Sequence, residues 1–363
     1  MTVYTPDERA IIALTSIDGL EYRHESSLLN LVSAPSKLFD RGEAVKAYLV
    51  KAIGENKAKT VLMALTDQYV DGVIGRLDKK GVTVVTLLSK DYPHRLKNID
   101  TPPLALYAQG DISLLNSEHT LGAVGSRKSM AYAEKLTQEV CESLSKCGVT
   151  IVTGSAMGAD KSAILGGLSG GRVISVIAGG IDHVYPDCNR SVIERVAKTG
   201  LVLSEHPPHT PSTFWMFPVR NRIIAALSDA VLIASGGEKS GARHTAEFAA
   251  NYGKDVYAFP YSVGVKSGEL CNDLIKHGAY LCDRADDLLS AFGVELPSMA
   301  DDLSDLSNEE RELLTAIREG EDDVTLYCAK TGKRFFEIAP VLSSLEIMGL
   351  IVKTAGNKYK PVK

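Results

Sequence analysis

One short segment of the 363-residue chain combines aromatic rings with guanidinium groups. This segment, residues 214–222, reads FWMFPVRNR and contains the only tryptophan of the chain. Aromatic faces stack on nucleobases, and guanidinium groups pair with phosphates or stack in turn. Such a combination suits a nucleotide chain better than a neutral metabolite, so the segment predicts a nucleic-acid surface. Its candidate contact residues are Phe214, Trp215, Phe217, Arg220, Asn221 and Arg222.

Other roles remain open for the same side chains. Each ring could instead pack in the core beneath a sheet, but we do not expect all three rings to do so. Either arginine could form a structural ion pair with Asp229 or Glu205. We expect one of Arg220 and Arg222 to be structural and the other to be free.

Three turns rich in small residues follow predicted strands, at residues 125–127, 153–160 and 235–245. Glycine lets a backbone approach a phosphate closely, serine adds a donor, and a following helix N-terminus attracts an anion. Because parallel strands end at one edge of a sheet, we expect the turns to form one anion site. The residues assigned to this site are Gly125, Ser126, Arg127, Gly154, Ser155, Ala156, Gly158, Ser240, Gly241 and Arg243.

These turns match neither a dinucleotide-binding nor a Walker fingerprint. We therefore expect no NAD or ATP chemistry and no cofactor. Asp160 and Asp182 are interpreted as helix-cap and turn residues rather than catalysts. The histidines show no metal-ligand spacing, so neither a metal site nor a catalytic residue is assigned.

Short apolar runs alternate with helical patterns from about residue 81 onwards. Several runs are apolar without alternation, as in strands buried on both faces. The pattern predicts an α/β fold with a Rossmann-like, doubly wound, mostly parallel sheet. The predicted strands are residues 82–88, 104–109, 120–124, 149–153, 173–177, 201–204, 230–234 and 256–259.

The chain is expected to contain small modules on both sides of this sheet. In the first, the turn at residues 15–20 is either a helix–hairpin–helix turn or a helix C-cap. The last has predicted helices at 308–319 and 338–348 and a terminal hairpin. The predicted domains are an N-terminal helical domain (SAM-like or helix–hairpin–helix-like) at 1–75, the Rossmann-like domain at 76–295, a linker at 296–306, and a winged-helix-like domain at 307–363.

Composition narrows the class of protein. Apolar residues make up 45% and charged residues 23%, which is ordinary for a globular protein. No apolar run approaches the roughly 20 residues of a membrane helix, and the N-terminus lacks a signal-peptide pattern. The six cysteines form no CxxC pair, so a cytoplasmic protein without a membrane partner is expected. The net charge of −5 leaves room for a local basic groove, because binding follows the field at the site.

Beyond these patterns, the chain resembles the DNA-processing protein A family, also called DprA or Smf. The resemblance covers about residues 89–278, and its most specific part is FPVRNRIIAALSD with the upstream SEHPP. It implies a non-enzymatic protein that binds single-stranded DNA in the cytoplasm, protects incoming strands and hands them to a RecA-type recombinase during natural transformation. Family members dimerise through this domain. By motif, Arg127 and loop 154–158 would hold phosphates, and segment 214–222 would supply stacking and charge.

The chain also departs from the family pattern. Met157 stands where an arginine is usual, Ile164 where a histidine is frequent, and Tyr261 where a glycine is usual. The usual SGSLIT loop is replaced by SGARHT, which introduces Arg243 and His244. These differences leave open whether the chain serves transformation or a divergent role.

Two other functions compete with DNA binding. The run 235–248 resembles the PGGxGTxxE motif of lysine-decarboxylase-like nucleoside monophosphate phosphoribohydrolases. In that case Glu247 would assist glycosidic cleavage and Arg243 would hold the phosphate, but the spacing is stretched and the leading proline is absent. A nucleotide-sensing regulatory module is the third interpretation.

Overall fold

The structure is a computed structural model that describes residues 3–17, 20–294, 306–320, 323–354 and 358–361. It divides into two compact units, Met1–Leu296 and Pro297–Lys363. Most of the predicted linker lies outside the described residues. So do Asp18 and Gly19 of the predicted helix–hairpin–helix turn, which therefore stays a prediction.

The first unit begins with five helices that share a hydrophobic core with the sheet. The first helix starts with Pro6 after a capping box in which Thr5 and Glu8 satisfy each other's backbone N–H groups. The buried hydroxyl of Tyr107, on a sheet strand, lies 3.2 Å from Thr15 Oγ1. The predicted boundary near residue 75 is therefore not a break in the core. The helices are α1 Pro6–Thr15, α2 Tyr22–Asn30, α3 Glu43–Ile53, α4 Glu55–Ala64 and α5 Asp67–Lys79.

Within the described residues, nine strands form one sheet in the order β1-β2-β6-β5-β4-β3-β7-β8-β9. The run from β6 to β9 is parallel throughout, while β2 is antiparallel to both β1 and β6. The predicted mostly parallel sheet is therefore confirmed. The strands are β1 Thr83–Thr86, β2 Ala105–Gly110, β3 Thr120–Val124, β4 Thr150–Thr153, β5 Val173–Val176, β6 Leu201–Ser204, β7 Ala230–Ile233, β8 Asp255–Ala258 and β9 Tyr280–Leu281.

Alternate residues of the central strands enter two different cores. Leu121 and Ile151 belong to one hydrophobic cluster, and Val124 and Val152 to the other. Since both faces are covered, the strands are apolar throughout. From β3 the chain winds outwards through β4, β5 and β6 and then returns to β7, so the direction switches between β3 and β7. The accompanying helices are α6 His94–Lys97, α7 Ala131–Lys146, α8 Ala159–Ser169, α9 Arg190–Thr199, α10 Met216–Leu227, α11 Ala242–Asn251, α12 Glu269–Lys276 and α13 Ala285–Phe292.

The second unit has a hydrophobic core of its own, which includes Leu313, Leu345 and Tyr359. Helices lie where the sequence predicts them, and one further helix was not predicted. The hairpin is antiparallel, and winged-helix identity stays a prediction. The elements are α14 Asn308–Arg318, α15 Val324–Thr331, α16 Phe335–Ile347, β10 Ile351–Lys353 and β11 Tyr359–Pro361. None of the helices in the described part of the chain is long and apolar enough to cross a bilayer.

Candidate nucleic-acid interface

The three predicted turns lie side by side, because β4, β3 and β7 are neighbours in the sheet. Backbone bonds join them directly. Ser126 N–H donates to Ser235 O at 3.1 Å, and Ala159 N–H donates to Ser126 O at 3.3 Å. The hydroxyl oxygens of Ser129 and Ser235 are 2.5 Å apart. The expectation that these turns meet at one sheet edge is confirmed.

The glycines in these turns allow the turns to pack against one another. A methyl group on Gly125 would lie 2.7 Å from Ala159 Cβ and 2.8 Å from Ser235 Oγ. Gly158 has φ +73°, which disfavours any other residue, and its missing side chain leaves room for Ser126 O. These two glycines therefore serve the contact between turns rather than an open approach to a ligand.

A cavity of about 380 Å³ opens above these turns. Most of the predicted contact residues line it, namely Gly125, Ser126, Arg127, Ala156, Phe214, Phe217, Arg220, Asn221, Ser240 and Gly241. Five lining residues were not predicted as contacts: Val124, Asp160, Pro218, Ala242 and Thr245. The predicted residues that do not line it are Gly154, Ser155, Gly158, Trp215, Arg222 and Arg243.

Arg220 and Asp160 form the buried charged floor of the cavity. Their residues are 6% and 5% exposed. Arg220 donates through Nη1 to Val176 O and through Nε to Asn221 Oδ1 at 3.2 Å. Burial lowers the pKa of Arg220 to about 10, although the charge of Asp160 opposes this shift. Burial likewise raises the pKa of Asp160, against the influence of Arg220 and a hydrogen bond from Ala156 N–H.

Gly154 lies against this pair, where any side chain would collide with both charged groups. Its place in the site is thus structural.

Arg222 is the structural arginine of the segment. It binds Glu205 with two hydrogen bonds of 2.8 and 2.5 Å and reaches Thr101 O at 3.2 Å. Burial opposes ionisation, yet Glu205 raises the pKa of Arg222. Asp229 pairs instead with Arg95 at 2.8 Å. Because Arg220 is buried as well, the expectation of one free arginine was wrong.

The exposed cation of the cavity is Arg127, which forms no ion pair with any other described residue. Its guanidinium carbon lies 4.9 Å from the ring centroid of Phe217. The ring of Tyr185 makes an edge contact with Phe217, with the two ring centroids 5.7 Å apart and an interplanar angle of 61°. Tyr185 was not predicted as a member of the site. Phe217 thus contacts both Tyr185 and Arg127, and the cation of this cluster is exposed to solvent.

The aromatic segment presents two rings to solvent. Phe214 is 86% and Trp215 is 60% exposed, whereas Phe217 is partly buried. The core position of the segment is taken by Met216, which is 5% exposed. The helix that follows starts at Met216, with the proline of the segment in its first turn, where no backbone donor is lost.

The serine–glycine turn differs most from the prediction. Arg243 pairs with Asp273 at 3.0 Å, and His244 lies 3.3 Å from Glu247. Thr245 lines the cavity instead and is fully buried, and its Oγ1 has no hydrogen-bond partner among the described residues. The sequence offered one signal for this threonine, namely its position in the first turn of α11.

The residues that depart from the family pattern have different surroundings. Met157 is 44% exposed on the second turn, while Ile164 is buried in the core and cannot contact a ligand. Tyr261 covers Gly268 with its ring and donates its hydroxyl to Ala234 O at 2.7 Å. Of these three residues, Met157 is the one with an exposed side chain.

Comparison with known proteins gives one consistent family. The family model of DNA recombination-mediator protein A matches residues 83–293. DNA processing protein DprA of Bacillus subtilis is 37% identical over 226 residues, which cover 62% of this chain and 75% of that protein. Protein Smf of a Synechocystis species is 31% identical over 309 residues, covering 74% of this chain and 78% of the relative.

Two solved structures agree. DNA processing protein A of Streptococcus pneumoniae matches with a TM-score of 0.66 and 27% identity, covering 80% of this chain and 98% of that one. DNA processing protein A of Helicobacter pylori, solved for its single-stranded DNA binding mode, matches with a TM-score of 0.53 and 28% identity. This second match covers 58% of the chain and 94% of the known structure.

Proposed function

Because the chain belongs to the DNA recombination-mediator protein A family, we propose that it binds single-stranded DNA and catalyses no reaction on it. The strand lies over the cavity formed by the turns after β3, β4 and β7. Arg127 contacts a phosphate there, and the exposed rings of segment 214–222 stack on bases. The Helicobacter pylori protein, whose structure was solved for its single-stranded DNA binding mode, supports this proposal.

The observation that carries the proposal is a pair of exposed rings in segment 214–222, which lines the cavity together with Arg127, a cation that has no ion-pair partner among the described residues. Phe214 and Trp215 expose 86% and 60% of their surfaces, which is unusual for such large apolar groups. The faces of bases in a duplex are already stacked, so these rings favour unpaired strands. The contact is independent of base identity, since every base has a face to stack.

In the cell, such a protein protects incoming strands and passes them to a RecA-type recombinase during natural transformation. The recombination-mediator description of the family and the DNA-processing names of its relatives support this role. The protein acts in the cytoplasm as a homodimer. The free edge of the sheet at β9, where Tyr280 and Leu281 are 55% and 48% exposed, offers an apolar surface for a second copy.

The phosphoribohydrolase alternative depends on Glu247, and the surroundings of that residue do not favour it. Its carboxylate is paired with His244, its side chain is 57% exposed, and it does not line the cavity. The carboxylate that does line the cavity, Asp160, is buried beside Arg220. No described feature therefore offers this chain the glutamate that the alternative requires.

The test compares Arg127→Ala with Glu247→Gln. Titration of a fluorescent oligo-dT should show weaker binding for Arg127→Ala and unchanged binding for Glu247→Gln. Both side chains are exposed, so both variants should keep the melting temperature of the parent protein. Equal affinity of Arg127→Ala and parent would refute the assigned phosphate contact, and release of a base from a nucleotide that stops in Glu247→Gln would establish the enzyme.

A further inference from the structure

We propose that the bound strand leaves the cavity over the turns after β3, β7 and β8, where Lys128, Lys239 and Lys266 contact its successive phosphates. The proposal rests on the single-strand binding proposed above and adds a path and a direction to it. The proposed nucleic-acid interface includes the cavity and extends beyond it on one side.

The three lysines lie in turns that follow three consecutive strands of the sheet. Lys128 follows β3, Lys239 follows β7 and Lys266 follows β8. Neighbouring strands are about 4.8 Å apart, so the turns extend over roughly 10 Å, a span of a few nucleotides. All three side chains are exposed, and none forms an ion pair within the described part of the chain. Each ammonium group is therefore available to a phosphate.

These turns form a continuous and ordered surface. The turn after β7 is joined to the turn after β3 by the hydrogen bond from Ser126 N–H to Ser235 O. On its other side, Gly236 N–H donates to Ser267 O at 2.6 Å, and Leu270 N–H donates to Gly236 O at 2.9 Å. The backbone beneath the lysines is thus already fixed, so little backbone ordering is required when a strand binds.

In the opposite direction, the turn after β5 presents two carboxylates that are each paired with a cation. Asp182 binds Lys80 at 2.7 Å, and Asp187 binds Arg190 at 2.7 Å. A phosphate on that side would have to displace a carboxylate from each cation. This displacement costs Coulomb energy without adding a new pair, so these two ion pairs offer a phosphate no free cation.

The proposed path carries a net positive charge even when its acids are included. The acids near it without a lysine or arginine partner among the described residues are Glu238, Glu247 and Glu269, against the three lysines and Arg127. Arg243 and Asp273 are paired with each other, and His244, 3.3 Å from Glu247, offsets the charge of that carboxylate only when the imidazole is protonated. The excess of one positive charge is supplied by Arg127 and Lys128 in the turn after β3, because acids match Lys239 and Lys266 on the β7 and β8 side.

The test is a triple variant, Lys128→Gln, Lys239→Gln and Lys266→Gln, compared with a matched triple control. The control changes Lys79, Lys198 and Lys276, which are also exposed and unpaired among the described residues. Lys198 and Lys276 end helices that precede the parallel strands β6 and β9 and so lie at the opposite sheet edge, and Lys79 ends the helix that precedes the edge strand β1. Both triple variants change the net charge equally.

Affinity for a long oligo-dT is measured by anisotropy over a series of salt concentrations. Each phosphate contact to single-stranded DNA contributes about 0.7 to the slope of log affinity against log salt, so the path variant should lose about 2 units of slope. The control should keep the parent slope. The loss of affinity should be greater on the long strand than on an oligonucleotide too short to leave the cavity.

A path variant that behaves like the control would overturn the proposed path, provided that Arg127→Ala still weakens binding. If neither the path variant nor Arg127→Ala weakens binding, the proposed function itself fails. A slope lost equally by both triple variants would show that only net charge matters, and it would also overturn the path. The melting temperatures of all variants establish that each is folded.

Discussion

Replacing the exposed rings by alanine tests the stacking contact without disturbing the fold. Phe214 and Trp215 are 86% and 60% exposed, so Phe214→Ala and Trp215→Ala should each change the free energy of unfolding by less than about 0.5 kcal/mol. A base stacked on an aromatic ring contributes about 1–3 kcal/mol, which corresponds to a roughly 5- to 150-fold weaker single-strand affinity for each variant. The salt dependence should not change, because no charge is removed.

The assay is anisotropy titration with oligo-dT, supported by tryptophan emission. Trp215 is the only tryptophan of the chain, so quenching on addition of DNA reports on this ring alone. Met63→Ala is the matched control, since Met63 is 77% exposed on α4, away from the turns that line the cavity. Unchanged affinity in both ring variants, or no change in emission on binding, would refute the stacking argument. A large fall in melting temperature would instead show that the rings stabilise the fold.

Three further predictions concern buried groups. Glu205→Gln leaves Arg222 buried without its counter-charge, so it should lower the free energy of unfolding by about 3 kcal/mol. Denaturant titration measures this change, and a stability equal to that of the parent would contradict the importance of this ion pair. Burial and the nearby charge of Glu205 raise the pKa of Glu25 from 4.5 to about 7, so its protonated form favours the fold. This contribution to the free energy of unfolding is complete below pH 4.5 and is lost as the pH rises through 7. In Glu25→Gln, up to about 3 kcal/mol of this pH-dependent loss of stability should disappear. A pH profile of stability equal to that of the parent would contradict the prediction. Gly154→Ala forces a methyl group against Asp160, so it should lower the free energy of unfolding by about 1–3 kcal/mol and weaken single-strand binding. A melting temperature and an affinity equal to those of the parent would show instead that the cavity floor can relax.

The central sheet could be predicted because parallel strands covered on both faces are uniformly apolar, and the small-residue turns follow them directly. The edge strand at Tyr280 could not be predicted, because a strand of two residues shows no periodic pattern. The parallel topology alone was enough to predict that the turns after β3, β4 and β7 meet at one edge of the sheet. Winding order then explains why the cavity lies between β3 and β7.

The details of the cavity could not be predicted in the same way. Whether an arginine is free depends on which carboxylate lies beside it in space, and Arg220 approaches Asp160 only through the fold. Asp160 and Thr245 resemble ordinary residues of a first helical turn in the sequence, yet both line the cavity. Arg243 was expected to hold a phosphate, but Asp273 on the next helix takes its guanidinium.

The most direct test of the central claim is a competition titration. Oligo-dT bound to the protein is challenged with duplex DNA and with a mononucleotide, at low and at high salt. We predict tight, salt-sensitive binding that single strands compete for far better than duplex or mononucleotide. Equal competition by duplex would contradict the stacking of unpaired bases, and failure to bind oligo-dT while binding the mononucleotide would contradict the proposed function.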